Sequence, residues 1–555
     1  MPPTVFAHVR STVHRDADDL LTAGLGLAGL RAAAPPAIAD PARPTSAELR
    51  RRAVWTNWRG IADLSVSGAG PDVAPVTGLE RHALATVPGA TRPHRVMVQV
   101  PDTFDPARPC IVVSAASGSR GIYGAIAVAS AWGLPRGCAV ACTDKGAGTD
   151  YVDLDAGSGT GIDGRVVTDP ADAAFAVDAP GVGGIAIKHA HSGDNPEADW
   201  GRHVHQAAEF ALEVLADAFP DAGPFDPRTT RIIAVGLSNG GGAVLRAAEL
   251  EGDWLDAVVA GAPSVDTDGA GARSLYDYAT EAALLLPCAL HAVDDLPMSL
   301  PALQAAARGK SLRAAGWVEG GDLDAQARSA RARLEAGGWT ARALRAAAIP
   351  LAFDLWRAIA VTYASAYGRY AVDAHPCGYR FSALREDGTP RPARPDARAS
   401  WWAEATGLPP GTGVGIVDPL ATGPDPAWPG LRALRGLVDG GGVDGARVRT
   451  GIAEIRCRPP AAGVPVVIVH GVDDGLIPMR FTSSPYVAAA RTAGRDVRFR
   501  QVAGVQHFDS ARALPGVAAR YAALLPHVFA ALDQVWAHLE GQGPLPADAV
   551  IEGRP

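Results

Sequence analysis

The chain has 555 residues, 48% of them hydrophobic and 20% charged, which suits a protein with several buried layers and excludes a disordered or fibrous one. At roughly 150 residues per domain it allows two to four domains, or one domain with a large insertion. The net charge of −8, from 59 acidic against 51 basic residues, disfavours nucleic acid or anionic membrane as the main partner, since both select clustered positive charge; a neutral or apolar ligand fits better. The lysines are Lys145, Lys188 and Lys310, so nearly all positive charge is arginine, and it is scattered. The six cysteines (Cys110, Cys138, Cys142, Cys288, Cys377 and Cys457) are far apart except for Cys138 and Cys142 and form no C-x-x-C pair, so neither a zinc finger nor a disulfide framework is expected.

Near the start, Leu20 to Leu30 is apolar but preceded by Asp16, Asp18 and Asp19 and broken by Gly24, Gly26 and Gly29, unlike a secretory leader. The chain as written therefore reads as cytoplasmic or as lacking a leader. No run of about 18 apolar residues offers a membrane span. Thr45-Ser46-Ala47-Glu48 is a capping box opening a helix through Trp58. Strands are expected at His94–Val100, Cys110–Ala115 and Gly137–Thr143, with a helix at Tyr123–Trp132. The two continuous apolar runs among them imply strands covered on both faces. A long amphipathic helix follows from Arg202 to Phe219, with Ala207, Phe210, Ala211 and Leu215 on one face. Next come a strand at Arg231–Val235, a helix from about Gly241 to Leu250, and a strand at Ala257–Ala260.

Downstream, helical stretches at Leu303–Leu312, Leu323–Leu334 and Ala341–Tyr370 precede a Pro/Gly-rich section from Pro390 to Val443. Alternation then resumes: strand Pro465–Val469, helix Ser484–Thr492, strand Val497–Val502 and a terminal helix around Val517–Leu539. Strands alternating with helices imply a mostly parallel sheet with helices on both faces. The expected organisation is an N-terminal extension over 1–75 packed on the core, a first core segment over 76–265, an inserted and largely helical cap over 266–460, a second core segment over 461–545, and a tail over 546–555.

The sharpest local motif is Gly236-Leu237-Ser238-Asn239-Gly240 between an expected strand and helix. A G-x-S-x-G turn is so tight that its flanking positions must be small, and it lifts the serine hydroxyl out at the carboxyl end of the sheet. Such a serine needs a base and an orienting carboxylate. The loop His470-Gly471-Val472-Asp473-Asp474-Gly475-Leu476-Ile477-Pro478 has the form H-G-x-x-D-x-x-[IV]-P and points to Asp474, with Asp473 competing; His470 is expected to shape this loop. The loop Gly504-Val505-Gln506-His507 follows the last expected strand and supplies His507 as base. Oxyanion donors are expected from the backbone N–H of Asn239 and from Ser119 or Arg120, in the glycine-rich loop after Cys110–Ala115. The pairs His189/His191 and His203/His205 make a poor metal site, because His203 and His205 diverge by about 200° on a helix; they are read as polar loop histidines. The G-x-x-x-x-G-K-[ST] spacing of a phosphate loop is absent near Gly146–Gly148.

Longer strings carry a resemblance. Asp18 to Gly26, Ser117 to Ile126, Thr143 to Thr149, Lys188 to Ser192 with Asn195 to Glu197, Gly236 to Gly242, His470 to Pro478 and Gln506 to Asp509 are similar to segments of the D-(−)-3-hydroxybutyrate oligomer hydrolases, and span nearly the whole chain. The resemblance implies an α/β-hydrolase fold and a serine esterase acting on 3-hydroxybutyrate dimers and short oligomers in polyhydroxybutyrate breakdown, with Ser238 as nucleophile, His507 as base and Asp474 as its partner. It implies no metal or organic cofactor and a small ester as the partner; members are often exported, so the compartment is open. A tannase- or feruloyl-type esterase with the same triad is the alternative. A prolyl-oligopeptidase-like peptidase lacks its propeller repeats here, and a non-catalytic binding protein would not need all three positions. The cap aromatics Trp317, Trp339, Phe353, Trp356, Tyr363, Tyr367, Trp401 and Trp402 are read mainly as cap core. A substrate carboxylate would have to meet local donors such as Arg120 or the cap arginines.

Overall fold

The computed structural model describes residues 5–65, 73–404, 406–411 and 413–554. Residues 1–4 and 66–72 of the expected N-terminal extension, and 555 of the expected tail, lie outside them. A ten-stranded sheet organises the chain: β1 (Phe6–His14), β2 (Gly78–Ala85), β3 (His94–Pro101), β4 (Cys110–Ala115), β5 (Ala139–Thr143), β6 (Arg231–Leu237), β7 (Ala257–Gly261), β8 (Val466–Gly471), β9 (Val497–Ala503) and β10 (Ala549–Glu552). In space the order is β1-β2-β3-β5-β4-β6-β7-β8-β9-β10. The pairings β1–β2, β2–β3 and β3–β5 are antiparallel, and those from β5 across to β10 are parallel. This is the α/β-hydrolase arrangement.

The apolar runs form strands because both faces are covered. Val112, Val259, Val467 and Val469 enter one core, and Ile111, Val113, Val258, Val466 and Ile468 the opposite one, the alternation that a pleated strand imposes. The principal helices are α1 (Ser46–Ile61), α2 (Trp200–Ala218), α3 (Asn239–Ala247), α4 (Leu275–Ala289), α5 (Leu355–Gly368) and α6 (Leu525–Leu539). Through Ala207, Phe210, Ala211 and Leu215, α2 fills one face of the sheet. The other face takes Leu49 and Trp58 of α1 and Val528, Leu532 and Val535 of α6. The capping box at Thr45 and Glu48 is formed in both directions. The helix expected at Tyr123–Trp132 is a π-helical stretch, Ile126–Ser130, running into Ala131–Gly133.

Several expectations are corrected. The N-terminal extension does more than pack on the core, since its first strand is an edge of the main sheet; Val9 and Val13 on β1 are exposed, so no apolar face announced it. The tail is not a loose end: Ala549–Glu552 pairs with β9 as the opposite edge. Cys110 and Cys138 form a disulfide. They precede Ile111 and Ala139, which are paired in adjacent parallel strands, a proximity that sequence distance hides. Within the region expected as the cap, the long helical stretch Ala341–Tyr370 is three helices, Ala341–Ala346, Ala348–Ala352 and α5, with Asp354 at φ 55° before the last. The Pro/Gly-rich section holds helix Trp428–Asp439 and strand Gly415–Val417 of a three-stranded sheet. A further four-stranded sheet, spanning Tyr151 to Ile187, was not legible from periodicity because its strands have only two or three residues each.

The extension is bolted to the sheet by one buried carboxylate. Glu80 of β2 accepts from Arg50 Nε of α1 (3.0 Å), Gln99 Nε2 (2.9 Å) and Tyr123 OH (2.5 Å), and its Oε1 lies 3.0 Å from His82 Nε2. Burial by itself would raise this carboxyl, but the Arg50 charge and the His82 contact hold it well below the usual carboxylate range. Its contribution to stability is therefore present above the carboxyl's unfolded pKa and is lost as the pH falls toward the depressed folded value. Glu80→Ala leaves Arg50 buried without this partner and is expected to cost about 3–5 kcal/mol. Urea-unfolding midpoints measure it, and the gap between wild type and variant should narrow as the pH is lowered below the ordinary carboxylate range.

Candidate active site

Ser238 stands between β6 and α3 at φ 58° and ψ −120°, a backbone region that side-chain-bearing residues avoid. The turn closes only because its flanks carry no Cβ. One on Gly236 would lie 2.1 Å from the Gly240 carbonyl oxygen, and one on Gly240 would lie 2.3 Å from that of Ala115. The turn is tied to its neighbours: Ser238 N–H donates to Gly261 O (2.9 Å), and its carbonyl accepts from Ser264 N (2.9 Å) and Gly242 N (3.0 Å). The hydroxyl is thereby held at the carboxyl edge of the sheet.

The loops after β8 and β9 bring the other two groups to it. His507 Nε2 lies 2.9 Å from Ser238 Oγ, and His507 Nδ1 lies 2.7 Å from Asp474 Oδ2. Asp474 Oδ1 accepts the N–H groups of Leu476 (2.9 Å) and Ile477 (2.7 Å), which fixes the carboxylate's direction. Burial would raise the Asp474 carboxyl, but the neighbouring His507 and the hydrogen bonds from His470 and His507 hold it well below its ordinary value. Asp473 turns elsewhere, accepting from Gly504 N (3.2 Å) and pairing with Arg342 at 3.6 Å. His470 braces the loop, with its ring nitrogens at Ser483 Oγ (2.7 Å) and Ile477 O (2.9 Å). In this arrangement His507 can take the serine proton at Nε2 while Asp474 fixes the tautomer through Nδ1.

Asn239 supplies the first backbone N–H of α3, a position without an intrahelical acceptor. Its side-chain oxygen accepts from Lys145 Nζ (3.0 Å) and Tyr363 OH (2.8 Å), and its carbonyl accepts from Trp200 Nε1 (3.2 Å). Lys145 is fully buried and donates to Glu197 Oε1 (2.5 Å), which also lies 2.7 Å from His189 Nε2. Burial lowers the ammonium's pKa, but Glu197 and Tyr363 more than reverse this, so the group stays charged; burial lowers the His189 pKa against the opposing charge of Glu197, with Lys145 adding to the fall. Motif reading assigns no role to Lys145, Glu197 or Tyr363. Two of the strings that carry the resemblance, Thr143–Thr149 and Lys188–Glu197, meet here, behind the residue after the serine.

Ser119 and Arg120 line the same cavity as Ser238. The Ser119 N–H faces Gly407 O at a long 3.4 Å. The Arg120 guanidinium is a strap, donating from Nη2 to Gly60 O and Thr406 O, both at 2.9 Å; burial pushes its pKa down to about 10. The histidine pairs are not polar loop residues. His189 and His191 lie on a one-turn helix, and both are buried; a single turn is too short to show periodicity. His203, on α2, stacks on His94 with ring centroids 3.8 Å apart, and His205 packs edge-on against Trp254. Among the described residues no group of three or more His, Cys, Asp or Glu side chains is arranged to hold a metal ion.

The serine and histidine open on a cavity of about 310 Å³. Its apolar wall includes Leu275, Ile349, Ile359, Leu408 and Phe508, and of the expected aromatics Phe353 and Tyr363 reach it. Trp339, Trp356, Tyr367 and Trp401 are buried in the core around α4 and α5, while Trp402 packs edge-on against Tyr123 in the core of the sheet. Larger hollows of about 510 and 660 Å³ elsewhere contain none of Ser238, His507 and Asp474.

The family model described as 3HB-oligomer hydrolase matches residues 1–555. The D-(−)-3-hydroxybutyrate oligomer hydrolase of Paracidovorax citrulli is 37% identical over 620 residues, covering 97% of this chain and 87% of that protein. That of Burkholderia vietnamiensis is 37% identical over 629 residues, covering 100% and 89%. Among solved structures, feruloyl esterase B from Aspergillus oryzae is 12% identical with a TM-score of 0.36 and covers 91% of this chain and 81% of its own, an overlap too slight to bear on fold or substrate. The family match over residues 1–555 and relatives 37% identical over nearly all of this chain show that the chain belongs to the 3HB-oligomer hydrolase family.

Proposed function

We propose that the protein is a serine esterase that cleaves dimers and short oligomers of D-3-hydroxybutyrate to the monomer through an acyl-enzyme on Ser238. The observation that carries this reading is the Ser238–His507–Asp474 chain of hydrogen bonds opening on an apolar cavity, in a member of this family. Ser238 Oγ gives its proton to His507 Nε2 and attacks the ester carbonyl. The negative charge that develops on the carbonyl oxygen is met by the Asn239 N–H, with Ser119 N–H as its partner once the long bond to Gly407 is exchanged. His507 then protonates the departing alkoxide as the carbon–oxygen bond breaks. Water, deprotonated by the same imidazole, releases the acid and regenerates the serine. Asp474 stabilises the imidazolium formed in both halves.

Lys145 and Tyr363 act through Asn239. By fixing its side-chain oxygen they orient the first N–H of α3, and the buried ammonium adds a favourable charge behind the developing oxyanion. Residues 266–460 act as the cap that walls in the acyl chain, through Leu275, Ile349 and Ile359.

Three variants and a comparison ester test this. Ser238→Ala is expected to lower kcat on the D-3-hydroxybutyrate dimer by about 10⁴-fold or more, and Asp474→Asn by about 10⁴-fold. Product formation is followed by chromatography with methyl ferulate as the comparison ester; turnover of the ferulate alone would overturn the substrate class. Tyr363→Phe removes one hydroxyl at nearly constant volume, and the slackened Asn239 is expected to lower kcat by about tenfold to a hundredfold. Affinity for a boronic acid, which mimics the tetrahedral intermediate, should fall in step while the melting temperature stays near that of wild type.

A further inference from the structure

We infer that Arg59 is the anchor for the free carboxylate of the substrate, so that the enzyme cleaves the ester bond next to the carboxyl end and releases one monomer per turnover. This rests on the esterase reading above. In that reaction the acyl unit stays on Ser238 and the departing unit carries the carboxylate, three covalent bonds from the alkoxide oxygen that His507 protonates. A recognising cation therefore has to stand on the histidine side of the cavity, within a short reach of His507.

Arg59 stands there. It lies in the last turn of α1 and lines the cavity together with Ser238 and His507. Its position is set by the next residue, because the Gly60 carbonyl accepts both from Ser510 Oγ (3.1 Å), in the turn just after His507, and from Arg120 Nη2 (2.9 Å), in the loop after β4. The end of α1 is thus pinned between the histidine loop and the glycine-rich loop. The guanidinium is partly exposed and sits 4.8 Å from the Trp55 ring centroid. Nη1 makes long contacts to Leu30 O (3.5 Å) and Arg31 O (3.3 Å). Its Nε and Nη2 make no hydrogen bond among the described residues, and none of their carboxylates comes within ion-pair distance of it.

The rest of the wall strengthens the assignment. Among the described residues no Asp or Glu side chain lines the cavity, and the other arginine, Arg120, already holds the Gly60 and Thr406 carbonyls. The arginines of the region 266–460 do not reach the cavity. A partly exposed guanidinium beside a largely apolar wall selects a monoanion with an apolar body, which describes a short hydroxyalkanoate with a free acid end. An ester link farther along the chain, placed at Ser238, would leave the cation facing an uncharged carbonyl.

The test compares the D-3-hydroxybutyrate dimer with its carboxamide, in which the terminal charge is removed and the scissile ester kept. Wild type is expected to prefer the acid by about 10- to 100-fold in kcat/KM, the worth of a hydrogen bond to a charged group. The preference should fall to near one in Arg59→Met, through a rise in KM for the acid, and persist in part in Arg59→Lys. Both substrates meet the same enzyme, so any inactive fraction cancels from the ratio. With the trimer, isotopic label in the carboxyl-terminal unit should appear first in free monomer. An acid-to-amide ratio unchanged in Arg59→Met, a wild-type ratio near one, or label appearing first in the dimer would overturn the anchor. Wild type that cleaves neither form of the dimer would instead overturn the hydroxybutyrate reading itself, and the anchor with it.

Discussion

The backbone of Ser238 is held where an L-residue does not rest by itself, and the remaining parts of the site are arranged around that constraint. A strained φ/ψ of this kind costs about 1–3 kcal/mol and survives only where its surroundings over-determine it. Here they do so from three directions. The main-chain groups of Ser238 are taken by Gly261, Ser264 and Gly242, the missing side chains of Gly236 and Gly240 let the turn close against Ala115, and β6 is buried on both faces. The serine is presented by a stiff sheet rather than by a loop, which is what a positioned nucleophile requires.

Charge around the turn is distributed in the same spirit. Each ionised group behind the site is paired before substrate arrives: Asp474 with His507, and Lys145 with Glu197. Buried pairs of this kind add little net stability over apolar replacements, but breaking one is costly. Their use here is positional. The Lys145 pair locks Asn239, and the Asp474 loop, fastened by two backbone N–H groups, locks the imidazole. The cavity wall is largely apolar, and the charged side chains among its described lining residues are arginines.

The segments outside the central sheet complete that wall. Arg120 joins the end of α1 to the loop at Thr406 through two carbonyls, and Ser510 joins α1 to the histidine loop. The amino-terminal helix therefore forms one side of the cavity, with Glu80 and Arg50 holding its other end to β2. The chain's negative balance does not carry into the chamber, where the lining charges are arginines.

Much was legible without coordinates, for a physical reason. Strand–turn–helix geometry is local, so a pentapeptide with small flanking residues locates the turn at Ser238, and strand-end loops at Asp474 and His507 follow from the order of the fold. Continuous apolar runs marked β4 and β5 because burial on both faces leaves no polar alternation. What depends on register or on neighbours distant in sequence was not legible. The cysteines paired because β4 and β5 lie side by side, and β1 and β10 were invisible because edge strands need no apolar face. The choice of Asp474 over Asp473 rested on motif spacing until the loop's hydrogen bonds set their directions. Lys145, Glu197 and Tyr363 meet behind Asn239 only after the chain has folded, and the end of α1, with Arg59, lines the cavity where two loops hold Gly60. The sequence by itself located the serine turn and the two strand-end loops in their chain order, since those follow from local geometry; tertiary structure alone decided what positions these side chains and what they face, since those contacts join segments hundreds of residues apart.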